Sequence, residues 1–434
     1  MTSGLGLAVP SQWSVVPLKH VTSVLTRGTA PNYVDDGPVR AVSQAANQVS
    51  GLDWSRTRFH GFEGNLANLK GVLRPGDVLI NSTGTGTLGR VGYFRDAPDE
   101  VPCMADGHVT VARADSRVLD SRFAYYWLAS RPFYDYIYAA LVVGATNQIE
   151  LNREKLRDAP VPLPPLEDQR RIADFLDAET ERLDALIEAR RVQVRCLAQR
   201  WESLLSARAE ELIETGGLLP MRRVADSIEQ GWSPQCEDAL AESDEWAVLK
   251  TSAVSSGVFR PLEHKRLPVG VSPDSRYRLA DGDVLMTRGS GSPDHVGVAA
   301  LAVVEGRKLL LSDLLYRLRL GRGWSPEYVT LMLGSSPVRG SMNLLFRGQS
   351  GQTIKLRAED VQATEIPIAP YDVQVRLAGE LEVEQQKMIR ARTAIQRSQV
   401  LLAERRQALI TAAVTGQFDV SSAGGRNVTE GITS

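Results

Sequence analysis

Apolar residues recur every seven positions in two long, otherwise polar stretches of the chain, 166–216 and 371–418. In the first stretch two such columns run four residues apart, as in the seam along which helices pack on each other. Neither stretch contains a proline, so the spacing predicts two helices of about 45 residues that pack together. The predicted seam comprises Leu176, Leu183, Ile187, Val194, Leu197, Trp201 and Leu204 in the first helix, and Leu381, Met388, Ile395, Leu402 and Leu409 in the second.

The rest of the chain alternates short apolar runs with glycine, proline and aspartate. Runs at 77–80, 109–111, 283–286 and 314–318 have the length and punctuation of strands. Short helices are predicted at 122–129 and 326–333. The pattern therefore predicts an α+β fold in which two strand-rich mixed domains alternate with the two long helices.

The chain contains an internal repeat with an offset near 205 residues. "VPLKHV" (16–21) recurs as "LPMRRV" (219–224), and "PVPLPPLEDQ" (160–169) recurs as "EIPIAPYDVQ" (365–374). "GDVLINSTGTGTLGRVG" (76–92) recurs as "GDVLMTRGSGSPDHVG" (282–297), with one residue dropped in the loop. The repeat predicts mixed domains at 1–165 and 217–370, long helices at 166–216 and 371–418, and a disordered tail at 419–434.

Composition favours a cytoplasmic globular protein. The apolar fraction is 43% and the charged fraction 24%, and no segment has the roughly 20 consecutive apolar residues that cross a bilayer. The start of the chain lacks a secretion signal, and Cys103, Cys196 and Cys236 are odd in number and far apart, which argues against disulfides. The five histidines are isolated as well, so we expect no metal site.

The net charge of −2 argues, as an average, against a nucleic-acid partner. The acidic excess, however, lies in one segment. Residues 166–216 carry 8 Lys and Arg against 12 Asp and Glu, whereas residues 1–165 carry 16 against 15 and residues 217–366 carry 18 against 18. The repeated domains are therefore balanced in charge.

The glycines at 84, 86 and 89 follow an apolar run and match the spelling of a dinucleotide-binding fingerprint. Residues 90–94, however, are typical of a strand and not of the required helix, and in the copy the third glycine is lost. A structural turn and a polar loop that meets phosphate remain as interpretations. The candidate contacts are Ser82, Thr83, Thr85 and Arg90, with Arg288, Ser290, Ser292 and His295 in the copy.

No motif predicts catalysis on this chain. It contains no Gly-Lys dipeptide and hence no P-loop, and no nucleophile elbow or paired metal-binding histidines. The sequence therefore favours a protein that reads a ligand, with no catalytic residues of its own.

Two segments resemble the specificity (S) subunit of type I restriction-modification systems. They are "PVPLPPLEDQRRIADFLDAETERLDALIEARR" (160–191) and the ending "RRQALITAAVTGQFDV" (405–420). The polar segments "GATNQIELN" (144–152) and "GQSGQTIKL" (348–356) are also similar to recurrent features of that family.

The resemblance implies that each mixed domain is a target recognition domain that reads one half of a split double-stranded DNA site. It implies that the two helices form an antiparallel coiled coil that fixes the gap between the halves. Two methylation subunits that bind S-adenosylmethionine, and two restriction subunits that use ATP and Mg, are the implied partners, so no cofactor belongs to this chain. Arginine, asparagine and glutamine are the usual groove readers. The candidates are Arg27, Arg56, Arg58, Asn147 and Gln148 in the first domain, and Arg288, Arg347, Gln349 and Gln352 in the second.

Two other interpretations stay open from the sequence. One is a coiled-coil adaptor between proteins that has lost DNA reading, and the other is a nucleotide-binding enzyme that uses Gly84–Gly89. The junctions between a mixed domain and the following long helix, at 160–169 and 365–374, also differ. Ala369 and Tyr371 in the second replace Pro164 and Leu166 in the first. The second junction therefore departs from the family's pattern at these two positions.

Overall fold

The computed structural model describes residues 9–49, 51–84, 86–143, 149–345 and 354–420. Its contacts divide the chain into two compact units, Met1–Arg190 with Arg397–Ser434, and Arg191–Gln396. Each unit therefore joins one copy of the repeat to part of each long helix. The domain boundaries given above stay a prediction, and residues 421–434 of the predicted tail lie outside the described residues.

The first unit is rich in short strands. They are β1 (Ser14–Pro17), β2 (Thr22–Arg27), β3 (Tyr33–Val34), β4 (Val39–Val42), β5 (Asn47–Gln48), β6 (Gly51–Leu52), β7 (Arg58–His60), β8 (Val78–Asn81), β9 (Val91–Tyr93), β10 (Cys103–Ala105), β11 (Val109–Ala114), β12 (Val142–Val143), β13 (Glu150–Leu151) and β14 (Pro160–Leu163). The helices up to this point are α1 (Ser121–Leu128), α2 (Arg131–Tyr136) and α3 (Arg153–Arg157), and α4 (Leu166–Gly216) follows. The strands expected at 77–80 and 109–111 and the helix expected at 122–129 are confirmed to within a few residues.

The second unit repeats this pattern. Its strands are β15 (Leu218–Pro220), β16 (Ala225–Gln230), β17 (Trp246–Leu249), β18 (His264–Arg266), β19 (Val284–Thr287), β20 (Gly289–Ser290), β21 (Ala299–Leu301), β22 (Lys308–Leu310), β23 (Leu315–Leu320), β24 (Ile354–Lys355) and β25 (Glu365–Pro367). The helices are α5 (Pro326–Leu333), α6 (Ser336–Asn343), α7 (Ala358–Ala363) and α8 (Tyr371–Val414).

The same sheet order occurs in both units. An antiparallel sheet β2-β11-β8-β9 in the first unit corresponds to β16-β23-β19-β21 in the second. The second sheet of the first unit has the order β10-β4-β7-β3, with β10 parallel to β4 and the other pairs antiparallel. Its first three strands correspond to the three-stranded sheet β22-β17-β18 of the second unit. A third pair, β1-β14 or β15-β25, lies directly before a long helix. The repeat in the sequence is therefore a repeat of topology.

The strand β8 and its counterpart β19 are buried along their whole length, because each lies inside a four-stranded sheet whose faces are both covered. In the first unit the largest buried side chains of the adjoining core are Trp127, Phe123 and Phe133, from α1 and α2. This core continues onto Leu176 of α4 and Leu409 of α8. The loop that follows β8 is thus carried on a sheet that is packed against the long helices of its own unit.

The long helices have 51 residues in α4 and 44 in α8. In the first unit the rings of Phe175 and Phe418 lie 5.6 Å apart, and Arg406 Nε lies 2.9 Å from Asp184 Oδ1. Phe175 contacts Phe418, and the later residue Asp184 contacts the earlier residue Arg406. In the first unit α4 and residues 406–418 therefore run in opposite directions. The predicted seam residues are all buried or half-buried, whereas Leu186, Val400 and Leu401 beside them are exposed.

Candidate nucleic-acid interface

The glycine loop of the first unit, described at residues 82–84 and 86–90, lies between the antiparallel strands β8 and β9. The amides of residues 87–90 donate to carbonyls of the loop and of Asn81. The glycines at 84, 86 and 89 have φ values of +89°, +87° and +79°, which favour glycine. No helix begins here and these amides close the turn, so the loop lacks the two features by which a dinucleotide fingerprint binds pyrophosphate.

The sequence alignment of this loop with its copy was wrong. Gly89 and Gly297 each donate a hydrogen bond of 2.8 Å to the carbonyl at the end of the preceding strand, Asn81 or Thr287, and both have positive φ. The third glycine is therefore kept as Gly297 and not lost. Because Tyr93 pairs with Val78 while Leu301 pairs with Val284, the second loop is two residues longer, and the expected deletion is an insertion.

In each unit the glycine loop contacts the C-terminal end of a polar segment, residues 144–152 in the first unit and 348–356 in the second. In the first unit Thr83 forms a bridge with Glu150, and the amide of Leu151 donates to Ser82 O at 2.9 Å. In the second unit β20 pairs with β24, and the amide of Leu356 donates to Arg288 O at 2.8 Å. The glycine loop and the polar segment, about 65 residues apart in the sequence, thus form one surface in each unit.

The predicted contacts of the first loop have different environments. Ser82 is fully buried, and its Oγ lies 2.6 Å from Thr110 Oγ1, so it has no surface to present to a ligand. Thr83 is half-buried, while Arg90 Nη1 donates to Asn47 O and Gln48 Oε1, both at 3.1 Å. Ser82 therefore stabilises the fold and is not among the contacts that we propose.

Arg27 lies at the edge of the same surface. Its Nη1 is 3.3 Å from Glu150 Oε2 and its Nη2 donates to Ser82 O at 3.5 Å, whereas its Nε is buried without a hydrogen-bond partner. The guanidinium is thus held beside a carboxylate at the end of the polar segment. It reaches a ligand only if this half-exposed ion pair opens, which costs little in a solvated setting.

Arg56 and Arg58 are both exposed, Arg58 at the start of β7 and Arg56 two residues before it. Arg56 Nε pairs with Asp53 at 2.9 Å, and the Arg58 guanidinium lies 4.1 Å from the centre of the Tyr33 ring. Burial and the nearby carboxylate of Asp106 raise the pKa of Tyr33. Arg58 is exposed, and a planar guanidinium suits phosphate or base contact.

In the second unit Arg288 is half-buried and anchored, since its Nε donates to the Tyr316 hydroxyl at 3.2 Å. Arg288 and Tyr316 are the counterparts of Ser82 and Thr110, so the same pair of positions carries an arginine at the surface in one copy and a buried hydroxyl pair in the other. His295 is exposed, and its Nδ1 lies 3.3 Å from Ser255 O. Ser290 and Ser292 are half-buried, and Ser290 Oγ accepts from the Ser292 amide.

The remaining predicted contacts lie outside the described residues. They are Thr85, Asn147, Gln148, Arg347, Gln349 and Gln352. The strands β13 and β24, which follow residues 144–148 and 346–353, contact the glycine loops. The predicted roles of these side chains stay predictions.

Sequence reasoning missed two side chains on this surface, Gln44 and His108. Thr83 Oγ1 lies 3.1 Å from Gln44 Oε1 and 2.9 Å from His108 Nδ1. Neither residue belongs to a motif, and the only signal is topological: the turn after β4 and the turn before β11 meet the loop after β8. Asp106 lies two residues before His108, and its Oδ1 accepts from the His108 amide at 2.8 Å. Burial raises the pKa of the Asp106 carboxyl.

Among the described residues, no group of three or more histidine, cysteine, aspartate or glutamate side chains is arranged to hold a metal ion. Within the same ranges, no helix is both long enough and apolar enough to cross a membrane.

Comparison with known proteins agrees with this geometry. The family "Type I restriction modification DNA specificity domain" matches residues 10–195. The chain is 24% identical over 395 residues to the EcoKI specificity subunit of Escherichia coli strain K12, across 86% of this chain and 82% of that protein. Over its first half by family, and over most of its length by sequence, the chain is similar to the specificity subunits of type I restriction-modification systems.

Two further relatives show how far the family likeness extends. The EcoEI specificity subunit of Escherichia coli is 30% identical over 158 residues, which span 36% of this chain but about a quarter (26%) of that protein. A chain in the structure described as "Structural basis underlying complex assembly and conformational transition of the type I R-M system" has a TM-score of 0.68 at 18% identity. It covers 95% of this chain and all of that one, so the fold is shared over nearly the whole length.

Proposed function

We propose that this chain is the non-catalytic specificity subunit of a type I restriction-modification complex and acts in the cytoplasm. The two recognition domains read the two halves of a bipartite double-stranded DNA target. The observation that carries the proposal is the pairing of the glycine loop with the end of the polar segment, built once in each unit on the same sheet order. Two copies of one reading surface suit a target with two halves.

The balanced charge of the recognition domains is compatible with this function. Phosphate contacts supply most of the sequence-independent affinity, whereas base contacts need donors and acceptors more than net charge. Partner subunits that surround the DNA can supply the cationic surface. The half-exposed or exposed groups Arg27, Arg58, Arg288 and His295 are then the described side chains that we propose for DNA contact.

The long helices are proposed to act as an antiparallel coiled coil that sets the distance between the half-sites. At 1.5 Å per residue α4 extends for about 76 Å and α8 for about 66 Å, roughly two turns of B-DNA at ~34 Å each. The antiparallel contacts of Phe175 with Phe418 and of Asp184 with Arg406 support this arrangement in the first unit.

Methylation subunits, two in number, and two restriction subunits are the proposed protein partners. In this proposal S-adenosylmethionine, ATP and Mg are bound by those partners, and the adenine to be methylated is flipped into the methylation subunit. The contribution of this chain is to choose the sequence and to position the partners on it.

Binding and spacing can be tested together on the complex assembled with its methylation subunits. We expect affinity for the cognate bipartite duplex at least ~1,000-fold above that for unrelated duplexes. Removing seven residues from each helix (191–197 and 393–399) shortens the coil by about 10 Å, or about three base pairs, and the preferred gap should shorten accordingly. Equal binding to all duplexes, or an unchanged gap, would reject the proposal.

The adaptor remains the second candidate, since the half-exposed seam and exposed apolar residues of the helices also suit a protein that only bridges partners. An adaptor without DNA reading predicts a complex that assembles but shows no sequence preference. The nucleotide-binding enzyme has less support, because the loop amides close the turn. We expect titration of the purified chain with NAD or ATP to show no binding, whereas binding that Gly86→Ala abolishes would support the enzyme.

A further inference from the structure

Gln44, Thr83 and His108 form a hydrogen-bonded group on the surface of the first unit, which we call the reading triad. The Thr83 hydroxyl lies between the other two side chains, 3.1 Å from Gln44 Oε1 and 2.9 Å from His108 Nδ1. His108 is exposed, and the other two are half-buried. The main chain of Gln44 is fixed as well, because its carbonyl accepts from Asn81 Nδ2 at 3.2 Å. Three separate segments therefore hold these side chains in place.

The number of hydrogens in the reading triad determines what it presents. The Thr83 hydroxyl has one proton, and Gln44 Oε1 can only accept, so Thr83 donates to Gln44 and accepts from His108 Nδ1. In an imidazole that carries its hydrogen on Nδ1, Nε2 is an acceptor, while Gln44 Nε2 has hydrogens to donate. Within the described part of the chain, neither of these nitrogens has a hydrogen-bond partner. The triad thus offers one donor and one acceptor.

The fold does not require the reading triad, because the second unit forms the same backbone without it. The Ser82 amide donates to His108 O at 2.8 Å, and the Arg288 amide donates to Leu314 O at the same distance. The turn that carries Gln44 likewise corresponds to the turn that carries Thr251, and Gly289 takes the place of Thr83. Thr251, Gly289 and Leu314 cannot form such a group, so the triad is a feature of the ligand surface of one copy.

We propose that Gln44 and His108 read an adenine in the half-site bound by the first recognition domain, an inference that rests on the proposed function. In the major groove adenine presents N7 as an acceptor beside N6–H as a donor, whereas guanine presents two acceptors. Gln44 Nε2 donates to N7, and His108 Nε2 accepts from N6. Thr83 touches no base and is a positioning residue, because it fixes the ring tautomer and the amide orientation.

The test uses the complex of the full chain with its methylation subunits, and duplexes in which each base pair of the wild-type target is changed in turn. The double variant Gln44→Thr, His108→Leu carries the residues of the second copy at these places and is therefore expected to fold. We expect it to lose discrimination at one A·T pair of the first half-site by roughly 5- to 150-fold, with the second half-site unchanged. Thr83→Val should relax the same pair, and Thr83→Ser should keep the wild-type preference.

Gln396→Ala, at an exposed position of α8, is the control and should leave every position unchanged. The assignment is overturned if the double variant relaxes a G·C pair, relaxes no position, or weakens both half-sites alike. A wild-type complex without any sequence preference would contradict the proposed function itself. A specific wild type whose preference survives the double variant contradicts only the reading triad.

Discussion

Gln169 and Gln374, 205 positions apart, make the same three hydrogen bonds at the start of the two long helices. Gln169 Oε1 accepts from the Asp120 amide at 2.8 Å, and its Nε2 donates to Val118 O and Pro164 O. Gln374 Oε1 accepts from the Ser325 amide at 2.9 Å, and its Nε2 donates to the corresponding carbonyls of residues 323 and 369. Both side chains are buried. Each therefore joins the first turn of a long helix to the loop that precedes α1 or α5.

Replacing either glutamine with alanine should destabilise its own unit by about 1–3 kcal/mol, because a buried amide and two carbonyls lose their partner. Chemical denaturation of Gln169→Ala and Gln374→Ala measures this effect. The exposed Gln396→Ala should stay within about 0.5 kcal/mol of the wild type. If all three variants unfolded at the same denaturant concentration, the hydrogen bonds would not have the role that we assign to them.

Asp77 should be essential to the first unit. Its carboxylate is fully buried and accepts from Arg113 Nε and Nη2, both at 2.7 Å, and from the Arg74 amide at 2.8 Å. Asp77→Ala leaves a largely buried guanidinium without its partner, for which we expect a loss of about 3–5 kcal/mol in the free energy of unfolding. The matched control is Asp158→Ala, which breaks the exposed pair with Lys19 and should change the unfolding midpoint little. Equal effects of the two variants would contradict the prediction.

Arg406 of α8 is the counterpart of Trp201 of α4 in the 205-residue repeat. It forms an ion pair with Asp184. Arg406 is largely buried, and Asp184 is half-exposed. We expect Asp184→Ala to cost about 1 kcal/mol, after allowance for solvent screening, and Arg406→Met to be neutral or stabilising, since an apolar side chain removes the need for a partner. A double-mutant cycle by denaturation tests this, because Asp184→Ala should have no effect in the Arg406→Met protein. An undiminished effect there would show that the pair is not coupled.

Cys103 and Cys196 should differ in reactivity. Burial raises the pKa of the Cys103 thiol to about 12, and only 3% of the residue is exposed, whereas Cys196 is exposed. Because the thiolate is the nucleophile, iodoacetamide at pH 8 should alkylate Cys196 in the native chain and leave Cys103 intact. Mass spectrometry of tryptic peptides gives the result, with Cys196→Ser as the control. Rapid labelling of native Cys103 would contradict the packing of β10 on β4.

Local patterns in the sequence were sufficient for the main elements. The heptad columns predicted α4 and α8, and the apolar runs predicted β8, β11, β19 and β23, because burial imposes a period of seven or a short continuous run on these segments. The division of each long helix between two units was not predictable. It depends on contacts such as Asp184 with Arg406, whose positions are more than 200 residues apart.

The candidate site was predictable only in part. The repeat identified the glycine loops and the polar segments, but it did not show that Thr83 meets Glu150, or that Ser82 points inward against Thr110. Gln44 and His108 carry no local signal, since their place beside Thr83 results from strand order. The loop alignment failed because the glycines repeat every two or three residues, and only the hydrogen bonds of Gly89 and Gly297 fix the register.

Methylome sequencing of cells tests the central claim most directly. The cells carry the methylation subunits with either this chain or a chimaera in which residues 1–165 come from a relative of different specificity. We predict a bipartite methylated site for the wild type, and for the chimaera a site in which one half has changed while the other half and the gap are retained. A chimaera that assembles and methylates with both halves unchanged, or a wild type whose methylation follows no bipartite sequence, would contradict the account.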